Sequence, residues 1–426
     1  MIVSAFIAVL APASRPDQIK WTTRIVAKTV AVFAFSTAVA AQPPVWVSEG
    51  PSPTTAGQVE GIADGPVAGA IKAVAPHPND ANVVYIGAVN GGVWKTTDAS
   101  SKRPHWQPLT DDQKSLSIGA LAFDPTDRTY QTLVAGTGRF SSDAGIGSAL
   151  IGLLRTTDGG ASWTTIPATR PVSDANITNV VLRGDVIVIS SDRGVFRLAN
   201  GQWKKISGAA DTGLPRGPAF DLIADPTNPA RLFTNSGPKG IYRSDDTGAT
   251  WTKVSDAALD ALLLPCRSAA EDCTKNLRIA VGTANNVYVG IANGHAQSEL
   301  AGLFRSGDGG ATWTPLDLPQ TVEAGGAVFG LYSEGQAEID FSIAADPQNP
   351  NIVYVGGDAQ PAFDETNPSP PRSGCGVRSG SWPNSIGACT YSGRLFRIDA
   401  SLPPGSQATH ITHSHTASGT APQYGD

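Results

Sequence analysis

One eight-residue pattern occurs three times in the chain and constrains the fold more than any other feature. The pattern is Ser/Thr-x-Asp-x-Gly-x-Ser/Thr-Trp, and it spans Thr156–Trp163, Ser244–Trp251 and Ser306–Trp313. Three full copies in one chain indicate an architecture built from structural repeats. We call these copies the three octapeptides. Their shared residues are Asp158, Gly160, Trp163, Asp246, Gly248, Trp251, Asp308, Gly310 and Trp313.

Short runs of β-branched and aromatic residues surround the octapeptides, as in Asn82–Gly87 and Asn351–Gly356. Such runs, bounded by Asp-Pro turns, predict short strands joined by tight turns. The 46 glycines and 32 prolines agree with a chain rich in turns. The repeat tryptophans lie about 40 to 60 residues apart, the size of a four-stranded propeller blade with loop insertions. The sequence therefore predicts an all-β fold, a β-propeller of about six to seven four-stranded blades.

Six repeat units can be recognised, and two interpretations of the ring stay open. The units begin near Ala68, Ser117, Asn176, Ala219, Leu277 and Glu338. In one interpretation the chain is C-terminally truncated and lacks at least one blade. In the other the six units close by themselves, with Trp46 pairing into the sixth. In both, the propeller occupies residues 42–426, and the last 25 or so residues are expected to be irregular.

The repeated residues of the octapeptides suit a tight hairpin rather than a reaction. An Asp carboxylate can accept hydrogen bonds from backbone N–H groups of the same turn. Glycine adopts the positive φ that such turns require. The Trp ring is expected to fill apolar space between blades while its N–H finds an acceptor. We therefore interpret Asp158, Asp246 and Asp308 as structural residues.

The octapeptide resembles the Asp-box, or bacterial neuraminidase, repeat. That repeat occurs in sialidases, xyloglucan-hydrolysing glycosidases, sortilin-type receptors and a photosystem II assembly factor. The resemblance covers roughly residues 66 to 400 and implies a β-propeller, but it does not imply one activity. The string Gly91–Asp98 and the Asp-Pro turns look closer to the xyloglucanase and sortilin-like branch than to true sialidases.

No catalytic constellation is marked by a motif. The Arg-Ile-Pro motif of sialidases is absent, which argues against true sialidase activity. A glycoside hydrolase needs two carboxylates about 5–10 Å apart across a cleft. The candidates are Asp221, Glu338, Asp340, Asp364 and Glu365. Strand alternation would place Glu338 and Asp340 on the same side of one strand. The competing interpretation is that these residues cap neighbouring turns, so the catalytic residues are left unassigned.

The N-terminal segment has the pattern of an export signal. An apolar run, Thr29–Ala40, follows Lys20, Arg24 and Lys28 and precedes an Ala-Gln-Pro-Pro break. The run is too short to cross a bilayer, which takes about 20 apolar residues. We assign residues 1–41 to a signal peptide and predict a secreted or periplasmic protein with no membrane span after cleavage.

The four cysteines agree with an oxidising compartment. Cys266 and Cys273 are close in sequence, and so are Cys375 and Cys389, which makes two local disulfides the simplest pairing. His410, His413 and His415 have a spacing that would suit a metal ion, but they lie near the chain end and no metal is assigned. No cofactor is predicted.

Charge narrows the choice of partners. With 31 basic and 37 acidic residues, the formal net charge is −6, so the chain lacks the basic character of a nucleic-acid binder. The first hypothesis is a binding or scaffold module for glycans or a cell-envelope protein. The alternative is a glycoside hydrolase acting on an extracellular polysaccharide, sialidase-like or xyloglucanase-like.

Overall fold

The computed structural model describes residues 70–101, 104–140, 142, 145–168, 172–268, 271–295, 298–322, 328–332, 335–359 and 393–411. Several sequence predictions fall outside these residues and stay predictions. They concern the signal peptide 1–41, Trp46, Asp364, Glu365, the Cys375–Cys389 pair, His413 and His415. Within the described part of the chain, no helix is long and apolar enough to cross a membrane.

Six four-stranded antiparallel sheets form the propeller, each strand pairing with the next along the chain. Blade 1 contains β1 (Ile71–Pro76), β2 (Val84–Ala88), β3 (Gly92–Thr96) and β4 (Gln107–Pro108). Blade 2 contains β5 (Ile118–Phe123), β6 (Leu133–Thr137), β7 (Leu153–Thr156) and β8 (Thr164–Ile166). Blade 3 contains β9 (Ile177–Arg183), β10 (Val186–Ser191), β11 (Phe196–Ala199) and β12 (Gln202–Lys205).

The second half of the ring repeats this order. Blade 4 contains β13 (Leu222–Ala224), β14 (Leu232–Asn235), β15 (Ile241–Ser244) and β16 (Thr252–Lys253). Blade 5 contains β17 (Cys273–Val281), β18 (Val287–Gly294), β19 (Ser298–Ser306) and β20 (Thr314–Pro315). A small hairpin of β21 (Thr321–Val322) and β22 (Val328–Phe329) follows. Blade 6 contains β23 (Ser342–Ala345), β24 (Ile352–Ala359), β25 (Gly393–Asp399) and β26 (Ala408–His410). The described helical elements are a 3₁₀ turn, Gly237–Lys239, and α1, Ala257–Asp260.

The predicted all-β propeller is confirmed, with six blades. The first strands of successive blades contact one another in order, from β1 through β5, β9, β13 and β17 to β23, which places them around the axis. Because neighbouring strands are antiparallel, all six first strands begin at one end of the ring, which we call the mouth face. The three octapeptides lie at the opposite end, the hairpin face. The fourth strand of blade 6 is β26, so that sheet has its four strands within residues 342–410.

The octapeptides form hairpins whose tryptophans lie between blades. Trp163 belongs to an apolar cluster shared by blades 1 and 2, Trp251 to one shared by blades 3 and 4, and Trp313 to one shared by blades 4 and 5. All three indoles are at least nine-tenths buried. The Trp313 Nε1–H donates to the Val254 carbonyl at 2.7 Å. Each octapeptide therefore contributes to the packing of one blade against its neighbour.

The hairpin turns are stabilised by a hydrogen-bond pattern that recurs in all three octapeptides. In the second copy, Asp246 accepts from the Thr250 N–H at 2.9 Å, the Thr250 hydroxyl at 2.6 Å and the Ser244 hydroxyl at 2.7 Å. Gly248 has a φ of 77°, a conformation that disfavours any residue with a Cβ. Asp158 and Asp308 accept the corresponding bonds in their own turns.

A disulfide joins Cys266 to Cys273 with a Cα–Cα distance of 4.8 Å, which confirms that predicted pair. It links the connection that follows α1 to the first residue of β17, the inner strand of blade 5. Leu259 of α1 and Leu263 of the connection lie in the apolar cluster between blades 4 and 5. The disulfide thus fixes the entry of the chain into the inner strand of blade 5.

Candidate functional site

Four charged residues from four blades meet at the mouth face, and we call them the axial cluster. Lys72 lies in β1, Asp221 directly precedes β13, Arg278 lies in β17, and Asp340 precedes β23. The charge of Lys72 interacts with those of Arg278, Asp221 and Asp340. Since blades 1 and 4 face each other across a six-bladed ring, groups that act on both must lie near the axis. The axial cluster therefore occupies the mouth of the central channel.

Lys72 enters the cluster from an irregularity in the inner strand of blade 1. The pairing of β1 with β2 slips between Ile71 and Ala73, so Lys72 is the extra residue of a β-bulge. Bulges commonly redirect a side chain at the edge of a sheet. Burial holds the pKa of Lys72 well below its usual value, and Arg278 lowers it further, while Asp221 and Asp340 oppose both.

Two phenylalanines lie beside the cluster at the mouth face. The Lys72 Nζ is 5.5 Å from the ring centroid of Phe140, which lies in the loop between β6 and β7. The Phe140 and Phe220 rings pack edge to face, with centroids 6.2 Å apart. Because Phe140 belongs to blade 2 and Phe220 to blade 4, this pair reaches across part of the channel mouth. The aromatic pair supplies apolar surface next to the charged groups.

Asp221 is fixed between three blades. Its carboxylate accepts from the Leu222 N–H at 2.9 Å, from the Ile279 N–H at 2.7 Å and from the Asn179 side chain. Only 4% of the residue is exposed. Burial raises the pKa of Asp221, whereas Arg278, these backbone bonds and Lys72 lower it. The carboxyl group therefore has a defined position and an altered acidity, two properties of residues in functional sites.

Arg278 is buried with few hydrogen bonds. Its exposed fraction is 8%, and its Nη1–H donates to the Phe220 carbonyl at 3.4 Å, a long hydrogen bond. Its Nε–H has no acceptor among the described residues. A guanidinium has five N–H donors, so most of its donor capacity is unused by the described chain.

Tyr332 adds a second buried donor within electrostatic reach of Arg278. The residue is 3% exposed, and no described residue bonds its hydroxyl. Burial raises the pKa of Tyr332 well above its usual value, and the charges of Asp358 and Asp340 raise it further while Arg278 lowers it. Tyr332 therefore lies within the electrostatic reach of the axial cluster.

The expected strand containing Glu338 and Asp340 is not present, and that prediction was wrong. Residues 337–339 form a turn, and β23 begins only at Ser342. The Asn276 side chain donates to the carbonyls of Ala337 and Glu338 at 3.2 and 3.1 Å, which stabilises the turn against blade 5. Glu338 is exposed and Asp340 is buried, so the two carboxylates do not line one surface.

Sequence reasoning identified two members of the axial cluster, Asp221 and Asp340, and missed Lys72 and Arg278. These four residues are far apart in sequence and carry no shared motif, because each comes from a different blade. The bulge gave no signal for Lys72. At the bulges of β5, β9 and β17 the extra residues are Gly119, Thr178 and Lys275, so a lysine at such a bulge also occurs in blade 5.

Among the described residues, no group of three or more His, Cys, Asp or Glu residues could hold a metal ion. His410 lies in β26, and its ring packs on Phe396 with centroids 4.8 Å apart. Because His413 and His415 lie outside the described residues, the structure does not test whether the three histidines could hold a metal ion, and no metal is assigned.

Comparisons with known proteins give a sequence likeness and a fold likeness. No protein-family model matches the chain. The chain is similar to xyloglucanases. A xyloglucanase from Paenibacillus sp. is 26% identical over 306 residues, covering 66% of this chain and 25% of the relative. One from Hypocrea jecorina is 28% identical over 187 residues, covering 41% and 19%. This chain thus matches about a quarter or less of the length of these relatives.

A solved structure supports the fold. The GH74 enzyme of Niastella koreensis matches with a TM-score of 0.50 and 18% identity, covering 80% of this chain and 45% of that enzyme. At this identity the likeness concerns the propeller architecture alone. Together the comparisons show a propeller fold and a sequence similarity to xyloglucanases over part of their length.

Proposed function

We propose that this protein is a carbohydrate-binding propeller that recognises a polysaccharide at the mouth face. The observation that carries the proposal is the axial cluster, where three buried charged residues and the partly exposed Lys72, from four blades, meet beside the Phe140–Phe220 pair. Ligand sites in proteins typically combine apolar walls with a few well-placed polar groups. The similarity to xyloglucanases supports a β-glucan as the first polysaccharide to test.

The chemistry of the cluster suits a sugar. Sugar hydroxyls both donate and accept hydrogen bonds, and the cluster offers Arg278 and Lys72 as donors and aspartates as acceptors. Hydrogen bonds to charged groups contribute more than those between neutral groups. An aromatic ring can lie against the C–H face of a sugar, and Phe140 and Phe220 are both partly exposed.

Export is part of the proposal. A polysaccharide ligand would be met outside the cytoplasm, and the signal-like residues 1–41 and the Cys266–Cys273 disulfide both fit such a compartment. A cell-envelope protein is the other partner class expected from the sequence.

Isothermal titration calorimetry with xyloglucan oligosaccharides tests the proposal. We expect binding by the wild type and an affinity loss of about tenfold or more in Lys72→Met and Asp221→Asn, because each removes a charged partner. Arg128→Gln, an exposed arginine of an Asp-Pro turn on the hairpin face, is the matched control and should bind normally. No binding of xyloglucan or other β-glucans would refute the proposal.

A second function, glycoside hydrolysis, is favoured by one observation. The pKa of Asp221 is raised by burial, which is a property of a general acid, and Asp340 supplies another carboxylate in the same cluster. Release of reducing ends from xyloglucan is the test. Turnover that is abolished in both Asp221→Asn and Asp340→Asn would replace the binding proposal, while binding without turnover would support it.

A further inference from the structure

Arg278 has a hydrogen-bonding capacity that the described chain does not use. It is more than nine-tenths buried, its Nε–H has no acceptor among the described residues, and its one described hydrogen bond is 3.4 Å long. A buried charge is costly unless it is paired and hydrogen-bonded. The usual remedy within a protein is a carboxylate that accepts two parallel N–H groups.

Within the described residues, the aspartates around the cluster do not accept two parallel hydrogen bonds from Arg278. The Asp221 oxygens accept from the Leu222 and Ile279 N–H groups and from Asn179, which holds the carboxylate to the backbone. Asp358 accepts from the Gln336 N–H at 3.1 Å, and Asp340 is also engaged. These aspartates balance the charge of the cluster, but in the described part of the chain none of them accepts a hydrogen bond from Arg278, whose acceptor there is the Phe220 carbonyl.

The other donors near Arg278 point to the same ligand chemistry. Lys72 interacts electrostatically with Arg278, and no hydrogen bond of its amine to a described residue is present. The Tyr332 hydroxyl is a second buried donor without a described partner. Two cations and a hydroxyl from three separate chain segments therefore keep unused donor capacity within electrostatic reach of one another.

We propose that Arg278, flanked by Lys72 and Tyr332, binds the carboxylate of an acidic sugar, so that the polysaccharide recognised at the mouth face contains uronic acid. A planar carboxylate matches the guanidinium fork with two parallel bonds, which one sugar hydroxyl cannot do. The pyranose ring attached to this carboxylate then lies beside Phe140 and Phe220. This inference rests on the proposed polysaccharide-binding function and adds the ligand class.

Calorimetry with three ligands tests the recognition of uronic acid separately from polysaccharide binding in general. The ligands are polygalacturonate, the same polymer with its carboxylates methyl-esterified, and neutral xyloglucan. We expect polygalacturonate to bind most tightly and esterification to weaken binding about tenfold to a hundredfold, the value of a charge-assisted pair. Tight binding of xyloglucan with no binding of polygalacturonate would overturn the inference of an acidic sugar but would agree with the proposed polysaccharide-binding function. Binding of none of the three would overturn both.

Variants of Arg278 locate the interaction. Arg278→Gln should weaken polygalacturonate binding about tenfold or more and leave the esterified polymer unaffected. Arg278→Lys keeps the charge but not the fork, so it should restore only part of the affinity. Arg128→Gln changes net charge by the same amount on the hairpin face and should bind normally. Equal loss in both glutamine variants would mean a general charge effect and would overturn the inference, provided that melting curves show folded protein.

A monomer identifies the source of the carboxylate. Free galacturonate that competes with the polymer would show that a single acidic sugar fills the site. Acetate competing equally well would show that the carboxylate alone is recognised and would overturn the requirement for a sugar.

Discussion

Aspartates serve two opposite purposes at the two ends of this molecule. The octapeptide carboxylates are near the surface and accept several short hydrogen bonds from their own turns. These bonds lower the pKa of Asp158 to about 2, against an ordinary 3.8. Burial raises the pKa of Asp308, but the bonds of its turn outweigh burial and lower it to about 2. Asp221 is buried at the axis, and burial raises its pKa. The octapeptide aspartates therefore stay charged and stabilise their turns. Asp221 is a residue whose charge depends on its surroundings.

The octapeptide hydrogen bonds predict a pH dependence of stability. A carboxyl whose pKa is lower in the folded protein stabilises the fold fully above its unfolded value near 4, and this contribution is lost as pH falls toward the folded value near 2. We expect the free energy of unfolding to fall less steeply between pH 4 and 2 in the Asp158→Asn/Asp308→Asn double variant than in the wild type. Urea unfolding at a series of pH values measures this, with Asp111→Asn as control. Parallel curves would contradict the expectation.

Adjacent aspartates of the second octapeptide should differ in their importance. Asp246 accepts four hydrogen bonds from its turn, so Asp246→Ala should lower the free energy of unfolding by about 1–3 kcal/mol. Asp245 makes half-exposed ion pairs with Arg231 and Arg243, so Asp245→Ala should cost less than about 1 kcal/mol. Chemical denaturation of both variants measures the difference, and the reverse order would show that the octapeptide aspartate is not structural.

At the scale of elements, the connections at the mouth face determine what the axis contains. The bulge in β1 brings in Lys72, the β6–β7 loop brings in Phe140, and the disulfide-linked connection leads into β17, which carries Arg278.

Blade starts were predictable because the strand pattern recurs: units expected near Ser117 and Asn176 begin at Ile118 and Ile177. The turn at Glu338 was not predictable, because its backbone carbonyls accept hydrogen bonds from Asn276, a residue of another blade.

Phe140 is expected to control the environment of Lys72. Its ring lies over the amine, so Phe140→Ala should admit water to the channel mouth and raise the pKa of Lys72 toward its ordinary value. The pH dependence of Lys72 acetylation, followed by mass spectrometry of the folded protein, measures the shift. Phe140→Leu keeps much of the apolar cover and should show a smaller change. An unchanged labelling profile in Phe140→Ala would mean that other residues bury the amine.

The Cys266–Cys273 disulfide should stabilise the entry to blade 5. Closing so short a loop contributes about 2–3 kcal/mol by restricting the unfolded chain. The Cys266→Ser/Cys273→Ser double variant should therefore melt at a lower temperature than the wild type under oxidising conditions. Comparison of the two melting curves tests this. Identical curves would show that the connection is held by Leu259 and Leu263 alone.

At the scale of the molecule, the ring separates stability from recognition. Apolar clusters between neighbouring blades hold the sheets together. Three of these clusters contain an octapeptide tryptophan. Charged groups are concentrated where the first strands converge, which brings together residues of blades 1, 4, 5 and 6. The propeller could be predicted from the sequence because its strand and turn patterns recur. The axial cluster was hidden because its members depart from the repeat, each in a different blade.

The most direct test of this separation compares polysaccharide binding by Lys72→Met and Asp246→Ala at equal folded fraction. The account predicts that the axial variant keeps its melting temperature within a few degrees but loses affinity about tenfold or more. It also predicts that the octapeptide variant is less stable but binds like the wild type while folded. Normal binding by Lys72→Met together with lost binding by folded Asp246→Ala would contradict the account, because recognition would then belong to the hairpin face.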